Sequence, residues 1–70
     1  MSPSYKLQIP KDSLLTPGLE PGDELLIQPR DRAKPGELVA RRADGNLIVA
    51  PYSLEDRGTL LGVVIGIRRP

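Results

Sequence analysis

Glu37-Leu38-Val39-Ala40-Arg41-Arg42, then Asp44-Gly45-Asn46, then Leu47-Ile48-Val49-Ala50, is the stretch on which the fold class turns. Two β-rich runs meet at Asp-Gly, a dipeptide that accepts the positive φ angles of the tight turns matching strand twist, so the stretch predicts a β-hairpin. Working outward, Tyr5-Lys6-Leu7-Gln8-Ile9 alternates apolar and polar residues as a half-buried strand does, and Pro10, with no N–H to donate, ends it. Glu20-Pro21-Gly22-Asp23 reads as a turn that feeds a strand over Glu24 to Gln28. Pro29 to Pro35 is a polar loop, and Pro51 to Gly58 a connector. Leu60-Leu61-Gly62-Val63-Val64-Ile65-Gly66-Ile67 is apolar on both faces and predicts a buried final strand. Its two glycines mark a bend or a close backbone crossing, as where a sheet coils. Asp12 to Thr16 is expected to form one helical turn, capped by Asp12 and stopped by Pro17-Gly18. The expectation is an all-β domain: a small coiled sheet or partly open β-barrel of about five strands, without internal repeats.

Composition narrows the functions open to such a domain. Seventy residues allow one small domain, and a chain of that size buries only about 60% of its unfolded surface, so a partner subunit is the expected supplement to the core. The absence of cysteine and histidine removes thiolate metal sites, disulfides and histidine-based catalysis, and no metal or cofactor is expected. Ten basic against nine acidic residues give a net charge of +1, which argues against a protein held mainly by nucleic-acid phosphates or acidic membranes. No apolar run approaches the roughly 20 residues that span a bilayer, and Met1-Ser2-Pro3-Ser4 lacks an apolar signal core, so a cytoplasmic protein is expected.

Three motifs, in order, carry a family resemblance. Asp12-Ser13-Leu14 is followed by Gly22-Asp23 and the apolar run Leu25-Leu26-Ile27; Gly36 to Val49 forms a hairpin; and Leu61-Gly62-Val63-Val64-Ile65-Gly66-Ile67-Arg68 closes the chain. Together they resemble the peptidase domain of the LexA and UmuD self-cleaving family, whose serine site reads Gly-Asp-Ser-Met. The resemblance implies a LexA C-terminal-domain-like fold, with Ser13 in the place of the nucleophile and the catalytic lysine in the place of Ala50. Lys11 stands where the family has glycine, and Leu14 where it has methionine. The segment between the lysine strand and the last strand is shortened to about ten residues.

Ala50 decides the chemistry expected of this resemblance. A serine hydroxyl attacks a peptide bond only when a neighbouring base accepts its proton, and a desolvated lysine is one such base. Lys6, Lys11 and Lys34 are the only lysines that could serve, and Lys11, two residues from Ser13, replaces a tight-turn glycine and has no buried slot to lower its pKa. Ser13 therefore reads as a vestigial nucleophile in a pseudo-peptidase. Asp23 and Glu24 lack a partner that would set their proton affinities apart and read as polar groups at a strand start.

Binding outlives chemistry in such a domain, and the family's domains also join their proteins as dimers. The expected role is a protein–protein interaction or dimerisation module, regulatory in kind, with Leu61, Val63, Ile65 and Ile67 as the strand that pairs with a mate. A second resemblance runs through Leu7-Gln8-Ile9-Pro10-Lys11, Gly18-Leu19-Glu20-Pro21-Gly22-Asp23 and Asp44-Gly45-Asn46-Leu47. It is to AbrB-type swapped-hairpin dimers that bind DNA and regulate transcription, and it implies a helix between Pro10 and Gly18. Under that alternative Lys6 and Lys11, together with Arg30, Arg32, Arg41 and Arg42, are the candidate nucleic-acid contacts. These cations are interleaved with Asp31, Glu37 and Asp44, and only Tyr5 and Tyr52 can stack on bases, so DNA is not the favoured partner.

Overall fold

The computed structural model describes residues 3–70, which form a single six-stranded sheet with no helix. The strands are β1 (Tyr5–Gln8), β2 (Leu14–Leu15), β3 (Glu24–Pro29), β4 (Leu38–Ala43), β5 (Asn46–Pro51) and β6 (Thr59–Arg68). Their order across the sheet is β1-β3-β6-β4-β5-β2, antiparallel throughout except for the β2–β5 pair. The predicted hairpin is β4–β5. Its closing pair is Ala43 with Asn46, and positive φ at both Asp44 (54°) and Gly45 (80°) makes the turn type I′.

The segment from Asp12 to Thr16 departs from expectation, and it supplies the sixth strand. Thr16 precedes Pro17, a position that disfavours helical backbone, and the main chain finds partners on the edge of β5 instead. Leu14 pairs with Ile48, Leu15 pairs with Val49, and the Thr16 N–H donates to the Val49 carbonyl at 2.9 Å.

A topological constraint then forces the sheet to coil. β1 and β2 are its two outermost strands, and a flat sheet would hold them about 24 Å apart. The connection between Gln8 and Leu14 spans at most roughly 21 Å fully extended. It is shorter still, because Pro10 to Ser13 form a turn in which the Ser13 N–H donates to the Pro10 carbonyl at 3.3 Å. The two ends of the sheet must curl towards each other. They do so without joining, since β1 and β2 are not paired and the barrel stays open.

The bend lies in β6. Its first half pairs with β4 (Thr59 to Val63) and its second with β3 (Gly62 to Arg68), the two ladders overlapping only at Gly62 and Val63. Each ladder carries a one-residue bulge, at Leu61 against β4 and at Ile65 against β3, and bulges bend a strand and increase its twist. At the overlap Gly62 packs against β3 so closely that a Cβ there would overlap the Gln28 carbonyl oxygen and lie 2.8 Å from Ile27 Cγ2. The crossing anticipated from the glycines is thus at Gly62. Gly66 is not required in the same way, since a Cβ there meets only Leu26 Cβ at 3.4 Å.

Coiling gives the core its two walls. Ile9, Leu25 and Ile27 come from one end of the sheet, Ala40, Leu47 and Val49 from the other, and together they form one buried cluster. Alternation along β3 keeps Leu25 and Ile27 inside while Glu24, Leu26 and Gln28 stay half-buried outside. Val39 and Val63 face each other across the β4–β6 pair and are buried on the opposite face.

One turn design is used twice, once where the sequence predicts a turn, over Glu20 to Asp23, and once at the end of the predicted polar loop. In Glu20-Pro21-Gly22-Asp23 and in Lys34-Pro35-Gly36-Glu37, proline is followed by a glycine at positive φ (95° and 90°), the signature of a type II turn. In each, the N–H of the acidic fourth residue donates to the carbonyl of the first at 3.1 Å. Its carboxylate accepts the first residue's N–H in return, at 3.1 Å in one turn and 2.7 Å in the other. Each turn launches a strand.

Gly62→Ala is expected to lower stability by about 2–3 kcal/mol, because the added methyl would overlap the Gln28 main chain and crowd Ile27 Cγ2, whereas Gly66→Ala should stay within about 0.5 kcal/mol of the parent. Urea unfolding midpoints of the two variants check this; equal midpoints would show that the crossing is not tight.

Candidate functional site

The pairing of β2 with β5 does not bring the two residues of the supposed peptidase site together: continued one residue each way, its parallel register places Ser13 beside Leu47 and Thr16 beside Ala50. Ser13 directly precedes β2, and Ala50 follows Val49, the partner of Leu15. Ser13 is half-buried, and its hydroxyl donates to the Pro10 carbonyl at 2.8 Å. The side chain thereby doubles the turn bond already made by its own N–H, whereas the capping bonds expected of Asp12 have no helical turn to cap. A hydroxyl whose hydrogen is held by a carbonyl oxygen is stabilised as the neutral alcohol. Activation would need a base at that hydrogen, and the register of β2 on β5 puts Leu47, three residues before Ala50, beside Ser13.

Three shallow surface grooves stand out, and Ser13 and Ala50 line none of these three. The first is bounded by Gln8, Gly22, Glu24, Arg68 and Pro70; the second by Lys6, Leu26, Gly66 and Ile67 along with Glu24 and Arg68; the third by Gln8 to Lys11 with Pro21 and Gly22. All lie around the outer face and end of the β1–β3–β6 portion. Among the described residues no group of three carboxylates is placed to hold a metal ion.

Among the described residues Asp23 is the one buried polar residue, only 3% exposed, and its bonds make it a structural node. One carboxylate oxygen accepts the Glu20 N–H, and the other lies 3.6 Å from Arg69 Nε. Its carbonyl accepts the Ile9 N–H at 2.9 Å, while the Gly22 N–H donates to the Ile9 carbonyl at 2.9 Å. These bonds extend the β1–β3 ladder past Gln8. Arg69 also donates from Nη2 to the Gly18 carbonyl at 2.8 Å, tying the end of β6 to both turns. The signal for Asp23 was its place after Pro-Gly; nothing local in the sequence signals Arg69.

The six candidate nucleic-acid contacts are divided between the ends of the sheet. Arg30 and Arg32 follow Pro29, the partner of Gly62, and Arg41 and Arg42 pair with Leu60 and Thr59, so these four belong to one end. Lys6 lies in the middle of β1, and Lys11 lies past Gln8 at the other end. Arg41 is also committed elsewhere: Nη1 donates to the Arg57 carbonyl at 2.6 Å, and Nη2 lies 3.6 Å from Asp56, pinning the β5–β6 connector.

The candidate dimer strand requires a correction. β6 is not an edge strand but lies between β3 and β4, and Leu61 and Val63 belong to its inner part: Leu61 packs against the core and Val63 is buried. A final strand buried on both faces was also too simple a reading. Ile65 and Ile67 are 53% and 51% exposed, because β4 stops short of them.

The chain matches no family model, and no curated protein sequence matches it. Among the described residues, no helix is long and apolar enough to cross a membrane.

Asp23→Ala is expected to cost about 2 kcal/mol, since it strands the Glu20 N–H and removes the anchor of Arg69, while Arg69→Ala, at an exposed partner, should cost less than about 1 kcal/mol. Equilibrium denaturation of both variants checks the ranking, and a larger loss for Arg69→Ala would overturn it.

Proposed function

We propose that this chain is a non-catalytic domain of the LexA/UmuD type that works by holding proteins together, not by cleaving them. The observation that supports the reading is the commitment of the Ser13 hydroxyl to the Pro10 carbonyl. A sheet that is coiled but open keeps main-chain edges on which a partner can add a strand, with main-chain hydrogen bonds giving affinity and side chains specificity.

The swapped-hairpin alternative is less well supported. The segment between Pro10 and Gly18, where that family has a helix, contains β2, and β1 pairs with β3 of its own chain.

Two measurements test the proposal. An acylating serine probe at neutral pH should leave the protein unlabelled; labelling abolished by Ser13→Ala would show a working nucleophile and overturn it. In a duplex DNA titration at rising salt, no tight complex is expected. An affinity that falls steeply with salt would instead point to phosphate contacts and the regulator class.

A further inference from the structure

The outward face of the β1–β3–β6 portion carries a trough well away from Ser13. Alternation along β3 turns Glu24 and Leu26 outward, and the register sets Lys6, Leu26 and Gly66 in one row across the three strands and Gln8, Glu24 and Arg68 in the next. Beyond Val63 only β3 accompanies β6, so this corner of the sheet is open on the β6 side. The three surface grooves join along the rows, since the first shares Glu24 and Arg68 with the second and Gln8 and Gly22 with the third. They form one path from Gly66 past Glu24 to Gly22 and Lys11, and glycine keeps it clear of side chains at both ends. Two strand spacings across and four residues along make the path roughly 16 Å long, about five residues of extended chain.

Charge alternates along this path. Lys6 and Arg68 flank the Gly66 end, Glu24 stands in the middle, and Lys11 lies at the far end. Among the described residues none of these four is in an ion pair, whereas Arg41 and Arg69 are held by Asp56 and Asp23. Lys6, Lys11 and Arg68 are exposed, so their charge is free to meet a partner. We propose that the trough binds an extended segment of a partner protein in which two acidic residues flank a basic one, each separated from it by a single residue. Side chains of an extended chain return to the same face every second residue, about 6.7 Å, so the two acids stand about 13 Å apart with the base midway. One acid then meets Lys6 and Arg68, the other meets Lys11, and the base meets Glu24. A nucleic-acid backbone fits less well, because it carries a negative charge at every step and would set one on Glu24, and no aromatic side chain lines the trough to stack on a base. The inference rests on the interaction-module reading and gives it a surface and a partner chemistry; complementary charge of this kind supplies specificity more than raw affinity.

Titration with the peptide Ala-Glu-Val-Lys-Val-Glu-Ala at low ionic strength, followed by amide NMR shifts of the protein, tests the assignment. Shifts are expected at Gly22, Glu24, Gly66 and Arg68, with a dissociation constant below about 1 mM. Lys6→Ala/Arg68→Ala should weaken binding at least about fivefold while keeping the parent's circular dichroism, and Lys34→Ala/Arg57→Ala, two exposed cations that do not line the trough, should leave it unchanged. Exchanging the peptide's lysine for glutamate should weaken binding to the parent about threefold, and Glu24→Gln should remove that preference. Shifts that fall elsewhere, or an affinity indifferent to Lys6 and Arg68, would overturn the trough as the site. No shift up to millimolar peptide would overturn the proposal altogether, and tighter binding of oligothymidylate at the same residues would replace the peptide by a phosphate chain. The inertness of Ser13 is judged separately by the acylating probe, so a failure here and a failure of the pseudo-peptidase reading are told apart.

Discussion

The contact between Gly62 and the Gln28 main chain is the constraint from which the rest of the architecture follows. There one strand hands over from β4 to β3, and the two ladders share only two residues of β6. A side chain at that point would push the two portions of the sheet apart. Without it they fold toward each other, with a bulge on either side to bend the strand, and Leu25 and Ile27 can reach Ala40, Leu47 and Val49 although β6 lies between their strands. The same handover creates the open stretch after Val63. Core and exposed edge are two consequences of one crossing.

A chain with no phenylalanine or tryptophan and only two tyrosines has few large side chains with which to fill a core, and the small aliphatic cluster here is correspondingly modest. Reciprocal turn bonds supplement it. In the two Pro-Gly turns an acidic residue closes the main-chain bond and returns its carboxylate to the first N–H, and Ser53 and Asp56 repeat the exchange in the last connector, at 3.0 and 2.8 Å. Each device fixes a strand's starting direction locally and lowers what the core must contribute to ordering the loops. Asp23 goes further because its turn also receives Ile9 and Arg69, so the ends of β1, β3 and β6 are joined at a single carboxylate-bearing residue.

What could be read from the sequence was local. Asp44-Gly45 announced a hairpin because only a primed turn fits two residues between twisted strands, and Pro21-Gly22 announced a turn for the same kind of reason. Period-two alternation located β1 and β3, and the glycine doublet in the last strand foretold a crossing, though only Gly62 needs it. What escaped depended on residues far apart in sequence. Leu14 and Leu15 carry no strand signal of their own and become β2 only because β5 offers an edge. β6 lies centrally because β3 and β4 both claim it, and no periodicity encodes that order. At the candidate site, the alanine in place of a base was legible, whereas the bond from Ser13 to Pro10 required the turn geometry.

That bond also explains how a scaffold of this kind can be kept when chemistry is given up. Catalysis by a serine–lysine pair depends on one hydroxyl and one amine meeting in a dry slot, a requirement of two side chains. The requirements of the fold lie elsewhere: a missing side chain at 62, a buried carboxylate at 23, two Pro-Gly turns and the Asp-Gly turn at 44–45. Ala50 bears on none of them. It sits in β5 opposite Val39, and an alanine meets that position without a charge to desolvate. Ser13 closes the turn that lets five residues connect the two outermost strands. Under the proposed reading the serine persists because the coil needs its turn, and the lysine does not because nothing in the coil needs it.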